Sequence, residues 1–275
     1  MKYEFEIKEI TRGYATEFIQ SLHYSKIMPK LTKHFLGCYS ENELVGVLTL
    51  GWGTQPKATI AKLFDGLDTK DYYEIGKMCM KEEMPKNSES QMISAVVKWM
   101  KVNTPERQFL YTWADGIMGK PGYVYQAANF LYGGFIWTQI YISNKNEKIH
   151  PRSARKLCEE NVKFKLEREP NFFVGKKGER IYWLTQDFLD YKNIIKIHGK
   201  QFRYILPLNK KSRKLLKKSK VKWNLNYPKD DDLIWEKSTK EGKKQLKKLP
   251  FIDSNMTEYN TKNVNAHLGS LEAFL

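Results

Sequence analysis

The chain has 275 residues, 41% of them hydrophobic, and a mean hydropathy of −0.60. That is enough for one large domain, or a domain with an appendage, in which much of the chain is solvated. No apolar run approaches the ~20 residues that cross a bilayer, which argues against a membrane span. The three cysteines, Cys38, Cys79 and Cys158, are odd in number and widely spaced; this argues against a disulfide framework or a zinc module and fits a reduced cytoplasm.

The first residues, Met1 to Glu6, lack the pattern of a signal peptide. Tyr3, Phe5 and Ile7 alternate with charged residues, as a half-buried strand does. Thr11 to Leu22 reads as a helix with Tyr14, Phe18 and Leu22 on one face, followed by a loop from His23 to Lys33 that Pro29 breaks. Phe35–Ser40 and Leu44–Trp52 form a hairpin through Glu41-Asn42-Glu43. Residues 53–70 are loop-like, with a short element near Ile60 to Phe64. Tyr72–Met80 is a strand, and Asn87 or Ser88 caps a helix from about Glu89 to Val102 whose apolar face is Met92, Ala95, Val96, Trp99 and Met100. Phe109–Ala114 is a buried strand that ends at Asp115. Tyr123–Tyr132 is a short helix closed by Gly133-Gly134, Phe135–Ile142 is a further strand, and Ile149 opens its hairpin partner after a turn at Asn144-Lys145-Asn146. Arg152–Asn161 reads as a basic helix, Asn171–Leu184 as a hairpin, and Gln201–Pro207 as an apolar element. From about 238 the chain is polar and loosely ordered. The order β-α-β-β-β-α-β-α-β predicts an α/β fold with a mixed sheet and helices on both faces.

Charge divides this chain unevenly. Residues 1–149 carry 18 basic and 16 acidic side chains, whereas residues 150–275 carry 29 and 15. A nearly neutral front joined to a basic back suggests a catalytic unit with a grip for a polyanion. Residues 210–222 alone hold eight Lys or Arg, among them Lys210, Lys211, Arg213 and Lys214, and Trp223, Tyr227 and Trp235 interleave with the basic residues around them, as suits stacking on bases. A solvated helix face is the plainer reading. The expected organisation is a catalytic domain over 1–155, a basic region over 156–237 that completes the fold and grips nucleic acid, and a polar tail over 238–275.

The stretch from Tyr72 to Phe135 reads as an active site. Strand, polar loop and helix follow one another, and a helix N-terminus after a strand suits an anionic cofactor. Lys77, Asn87, Ser88 and Ser90 are the candidates to meet its phosphates, or else belong to an ordinary capped helix. Cys79 is an acyl acceptor or, more simply, a buried structural thiol. Asp115 is a candidate base or a turn residue before Gly116. Tyr123 and Tyr125 sit where helical geometry turns one toward a pocket and the other away, or they belong to an aromatic core stripe with Phe130 and Tyr132. His23 stands at a helix C-terminus, where an imidazole is commonly a cap.

Several motifs in this order resemble one family. Glu74-Ile75-Gly76-Lys77-Met78-Cys79, Asn87-Ser88-Glu89-Ser90, Ala114-Asp115, Gly122-Tyr123-Val124-Tyr125-Gln126-Ala127 with Asn129-Phe130, and His150-Pro151-Arg152-Ser153 resemble the bacteriophage Mom family over roughly residues 20–155. The element order resembles the acetyltransferase-like fold of the GNAT superfamily. The resemblance implies a GNAT-like fold, acetyl-CoA or a related acyl donor, and conversion of the N6 amine of adenine in double-stranded DNA to a carbamoylmethyl (glycinamide-type) amine that protects phage DNA from restriction in the host cytoplasm. It implies functional roles for His23, Tyr24, Asp115 and Tyr125, and iron as a possible metal on these four, since phenolate and carboxylate are hard ligands. An enzyme of this kind flips the base out of the duplex, with Tyr123, Arg152 and Arg203 added to the basic run as DNA contacts. Two positions depart from the pattern: Lys77 stands where the family often has Arg, and the usual GNAT pyrophosphate loop is missing after Met80. A conventional N-acetyltransferase acting on RNA or protein amines, and a non-catalytic nucleic-acid-binding protein on the same fold, are the alternatives.

Overall fold

The computed structural model describes residues 4–53, 55–149, 151–171 and 184–252, with the backbone alone over 151–155. In chain order the elements are β1 (Glu6–Glu9), α1 (Arg12–Leu22), β2 (Leu31–Ser40), β3 (Glu43–Trp52), α2 (Pro56–Ala61), β4 (Tyr72–Met80), α3 (Ser88–Asn103), β5 (Phe109–Ala114), α4 (Tyr123–Ala127), β6 (Leu131–Ile142) and β7 (Lys148–Ile149). They continue with α5 (Pro151–Arg168), α6 (Gln186–Tyr191), β8 (Ile195–Pro207), α7 (Lys210–Leu216), β9 (Trp235–Thr239) and β10 (Gly242–Leu246). The chain forms two compact units. One contains the chain up to Gly116, Lys120–Ile136 and Gln201–Asp232; the other contains Ile117–Gly119, Trp137–Lys200 and the chain from Leu233 onward. They interleave along the sequence, whereas charge suggested successive segments ending at 155 and 237.

In the first unit β1, β2, β3 and β4 pair antiparallel in sequence order. The Glu41-Asn42 turn between β2 and β3 has φ of 51° and 68°, the doubly positive pair that a tight hairpin needs. β5 joins β4 in parallel, and the far end of β8 closes on β5 antiparallel, from Phe109↔Pro207 to Ala114↔Phe202. A mixed α/β sheet is therefore present, as the element order predicts. The core on one side holds Phe64, Tyr72, Phe109, Tyr111 and Ile205, with Leu215, Leu216 and Trp223 packed against it. On α1, capped by the Thr11 side chain, the buried residues are Ala15, Thr16 and Ile19, while Tyr14 and Leu22 are exposed. Of the face expected from Tyr14, Phe18 and Leu22, only Phe18 packs on this core, and small Ala15 lets the helix lie close on Met28, Leu44 and Val47.

Two further expectations change. α4 ends at Ala127, and Gly133-Gly134 lies inside β6 rather than closing a helix. The reason is close packing: a Cβ on Gly133 would come within 2.1 Å of the Trp223 ring. β2 begins at Leu31 rather than Phe35, because Leu31 and Thr32 still find partners in Trp52 and Gly51.

In the second unit, Leu157, Cys158 and Phe164 of α5 and Phe188 and Leu189 of α6 share a core with Tyr141 and Ile149. The buried Asn161 side chain accepts from the Thr185 hydroxyl at 2.7 Å. Residues 238–246, expected to be loosely ordered, belong to the β9–β10 hairpin, and β9 adds to β8 through Ile197↔Lys237. Trp235 and Leu246 supply the apolar anchors that a polar stretch by itself would lack, packing on Ile117, Ile140, Ile142 and Ile197. The hairpin expected over 171–184 and the tail beyond 252 lie outside the described residues.

Candidate active site

The parallel strands β4 and β5 pair for three residues only, Tyr72↔Phe109, Tyr73↔Leu110 and Glu74↔Tyr111. Beyond them β4 runs on to Met80 and β5 to Ala114, with no further pairing between the two, so they part like a fork. Residues 75–80 therefore lie beyond the register that β4 shares with β5. At the end of the β5 prong stands Asp115. The Tyr24 hydroxyl, 91 residues away in sequence, donates to Asp115 Oδ2 at 3.0 Å. Burial of the phenol, then the charge of Asp115 and the hydrogen bond to it, hold Tyr24 well above the ordinary tyrosine range. His23 caps α1, its backbone N–H donating to Ile19 O, and its ring stacks on Tyr24 at 4.4 Å. His23 Nδ1 accepts from the Ser25 backbone N–H at 2.9 Å.

Gly122 brings Tyr125 to this place. Its φ of +96° starts α4 in the left-handed region, and a Cβ there would meet both Ala114 and Tyr204 at 2.8 Å. Tyr123 and Tyr125 then diverge. Tyr123 is exposed, with Lys229 Nζ 5.4 Å from its ring centroid. Tyr125 packs 5.6 Å from both Phe130 and Tyr204. Burial raises its phenol, and Asp115 and Glu74 add to that, so Tyr125 carries its proton at neutral pH. Tyr204 anchors the arrangement: its hydroxyl donates to Pro121 O at 2.6 Å and receives the Gln126 amide at 3.1 Å.

Glu74 is the residue whose place the sequence did not reveal. It occupies the last paired position before the fork, its Oε2 is buried without a hydrogen-bond partner, and burial pushes its carboxyl up to about 7, against the hydrogen bond from the Gly53 backbone. Lys120 was likewise unassigned; its Nζ lies 5.0 Å from the Tyr24 ring centroid.

The cofactor candidates separate. Lys77 lies on the β4 prong with its backbone N–H on Thr49 Oγ1 at 2.8 Å. Asn87, at φ 72°, leads into α3 without a side-chain cap, and the Ser90 hydroxyl donates to Asn87 O. Helix N-termini leave their first N–H groups without intrahelical partners, so an anion fits against Asn87 and Ser90. Ser88 is fully buried, which removes its hydroxyl from any solvent-borne phosphate. Burial pushes the Cys79 thiol up to about 12, which suits a structural thiol and not an acyl acceptor.

Iron is not supported on the four residues: the Tyr24 hydroxyl donates to Asp115, and His23 Nδ1 accepts from the Ser25 backbone N–H. Among the described residues no group of three or more His, Cys, Asp and Glu is placed to hold a metal ion.

Among the DNA-contact candidates, Lys210, Lys211, Arg213 and Lys214 are exposed on and around α7 and have no ion pair among the described residues. Arg203 is different: it donates to Gly133 O at 3.3 Å and lies 5.1 Å over Trp113, a partly buried position that ties β8 to β5 and β6 and is ill suited to gripping a phosphate. Arg152 belongs to α5, and its side chain lies outside the described residues.

The forked parallel pair of this mixed α/β sheet therefore carries Tyr24, Asp115 and Tyr125 at its end. The chain belongs to the Mom protein family, which matches residues 4–229. It is 28% identical over 214 residues, 78% of this chain and 79% of the relative, to the methylcarbamoylase mom of Escherichia phage Mu. Among solved structures, a Bacillus subtilis acetyltransferase in complex with CoA is similar over 76% of this chain and all of that one, at 14% identity and a TM-score of 0.36. The acetyltransferase AAC(6')-Ib in complex with paromomycin and acetyl-CoA is similar over 48% of this chain and 86% of its own, at 11% identity and a TM-score of 0.36. Both TM-scores are low. No helix among the described residues is long and apolar enough to cross a membrane.

Proposed function

We propose that this chain is a DNA-modifying transferase that converts the N6 amine of adenine to a carbamoylmethyl amine, with acetyl-CoA or a related acyl donor as the carbon source and a separate donor of the amide nitrogen. The observation that carries the reading is the Tyr24–Asp115 contact beside Tyr125, at the end of the β4–β5 fork. The N6 amine is a poor nucleophile, its lone pair delocalised into the ring, and in a duplex it is paired, so the base has to leave the stack. Tyr24 occupies Asp115 Oδ2, which leaves Oδ1 to accept an N6 hydrogen and raise the nucleophilicity of the amine. His23 and Tyr24, stacked on each other, and Tyr125 supply flat surfaces for the extruded purine. Tyr125, protonated at neutral pH, is a donor toward a developing negative charge.

An acyl thioester, when bound, would supply an activated carbonyl; attack of N6 there would form an N–C(O) bond as the C–S bond breaks and the thiol leaves, whereas a carbamoylmethyl amine, with its methylene on N6, would need a nitrogen donor and a two-electron oxidant in addition. Membership of the Mom family supports this donor, and so does the fork: the edge of β4 beyond its pairing with β5 suits an extended amide-bearing arm, and Lys77, Asn87 and Ser90 suit its phosphates. The exposed lysines and Arg213 around α7 are proposed to hold the duplex backbone, each phosphate contact releasing counterions.

The test is mass spectrometry of nucleosides from the DNA of cells that express the chain, beside an Asp115→Asn control. A heavier deoxyadenosine that disappears in the control is the expected result, and the added mass separates a carbamoylmethyl from an acetyl group. Unmodified deoxyadenosine in cells that contain folded, DNA-binding protein would overturn the reading.

A further inference from the structure

The second unit carries a basic surface that the proposed active site does not use. On β8, Ile197 is fully buried and joins the core of Ile117, Ile140 and Ile142, so its neighbours Lys196 and His198 point to the opposite face of the sheet. His198 stands opposite Glu236 of β9, and Ser238 of β9 stands opposite Lys243 of β10. The five residues therefore share one face. His198 Nε2 lies 3.0 Å from Ser238 Oγ, and Lys243 Nζ lies 2.9 Å from Glu236 Oε2 and 5.5 Å over the ring of the exposed Trp137.

The positive groups are close enough to feel one another. Burial, and then the charge of Lys243, hold the Lys196 ammonium below its ordinary range. Burial, and then Lys196 and Lys243, do the same to the His198 imidazole, against the attraction of Glu236. Lysines spread over a solvated face avoid such crowding. Here Lys196 on β8 and Lys243 on β10 face the same side across β9, with Glu236 between them and the imidazole of His198 neutral at pH 7. A polyanion would relieve this and release its own counterions.

We propose that the face formed by Lys196, His198 and Lys243 binds the phosphate backbone of double-stranded DNA. The identity of the polyanion rests on the proposed function; the surface itself does not. Lys196 and His198 lie within the residues that the family match covers, and Lys243 lies beyond residue 229, where it ends.

The experiment is fluorescence anisotropy of a labelled DNA duplex titrated with the full chain over a range of salt, comparing wild type with the Lys196→Gln/Lys243→Gln double variant. Two lost phosphate contacts lower the slope of log affinity against log salt by about 2. Affinity near physiological ionic strength is expected to fall about tenfold, while the melting temperature does not fall, since the change removes repulsion. Ser238→Glu, which adds a negative charge to the same face, is expected to weaken binding as well. A folded double variant with the wild-type slope, unchanged affinity for Ser238→Glu, or a preference of the wild type for single-stranded RNA over the duplex each overturns the inference. The Asp115→Asn protein is expected to keep the wild-type slope while the modified nucleoside is lost. A wild type that binds duplex through these lysines yet leaves deoxyadenosine unmodified sinks the catalytic reading and leaves this one standing.

Discussion

When a phenol donates to a carboxylate, it decides which oxygen the carboxylate has left. Tyr24→Phe should therefore lower nucleoside modification at least tenfold, the scale of a lost general acid–base contact, while shifting the melting temperature little, because Tyr24 is 38% exposed. An equal loss of stability and activity in that variant would assign Tyr24 to the scaffold. Glu74 leads to a prediction in pH. Its folded-state carboxyl titrates near 7, above the ordinary value of 4.5, so the folded state holds the proton more tightly than the unfolded chain. Stability from this group is present below 4.5 and is lost as pH rises through 7, by roughly 3 kcal/mol at most. Urea midpoints at pH 5 and pH 8 should differ by less in Glu74→Gln than in wild type; equal differences would clear Glu74 of the effect. Residue types alone made Asp115, Tyr24 and Tyr125 candidates, but what joins them is a contact across 91 positions, which no local pattern encodes. Glu74 was harder still. In a strand it alternates with buried neighbours like any surface acid, and its burial comes from where β4 and β5 part.

At the scale of elements, the most legible were those whose own sequence carries both the period and the stops. β4 and β5 begin and end where alternation and Asp115 place them. α4 was legible only at its start, because Gly133-Gly134 looks like a helix stop until Trp223, 90 residues away, is seen to fill the space above Gly133. This pairing predicts a strong interaction between the two positions. Gly133→Ala alone should cost about 2 kcal/mol by overpacking, and Trp223→Ala alone about 3 kcal/mol by leaving a cavity. In the Trp223→Ala background the added methyl should cost little, a departure from additivity that a double-mutant cycle in denaturant measures directly. The basic run at 210–222 was legible as charge, but its anchoring was not. Leu215, Leu216 and Val221 pack on the core, and the Lys220 backbone N–H donates to Leu63 O at 2.9 Å, so the lysines of α7 are presented by a fixed element.

For the whole molecule, a net charge of +16 is a standing source of self-repulsion. Raising the salt from about 0.05 to 0.5 M shortens the Debye length severalfold, and the melting temperature of the free protein should rise over that range, even as duplex binding weakens; a melting temperature that falls would show that attractive ion pairs outweigh the repulsion. The back half of the chain was legible as basic and as part of the fold, but the place of its strand beside β5 was not. Residues 201–207 supply the strand that covers β5, and they bring Tyr204 under Tyr125, so the front 155 residues alone lack a wall of their own site. During synthesis, the strand bearing Asp115 leaves the ribosome about ninety residues before the strand that must lie against it. A chain cut before residue 201 is therefore expected to lack the proposed activity, and competence waits for residues 201–207, a timing set by strand order alone.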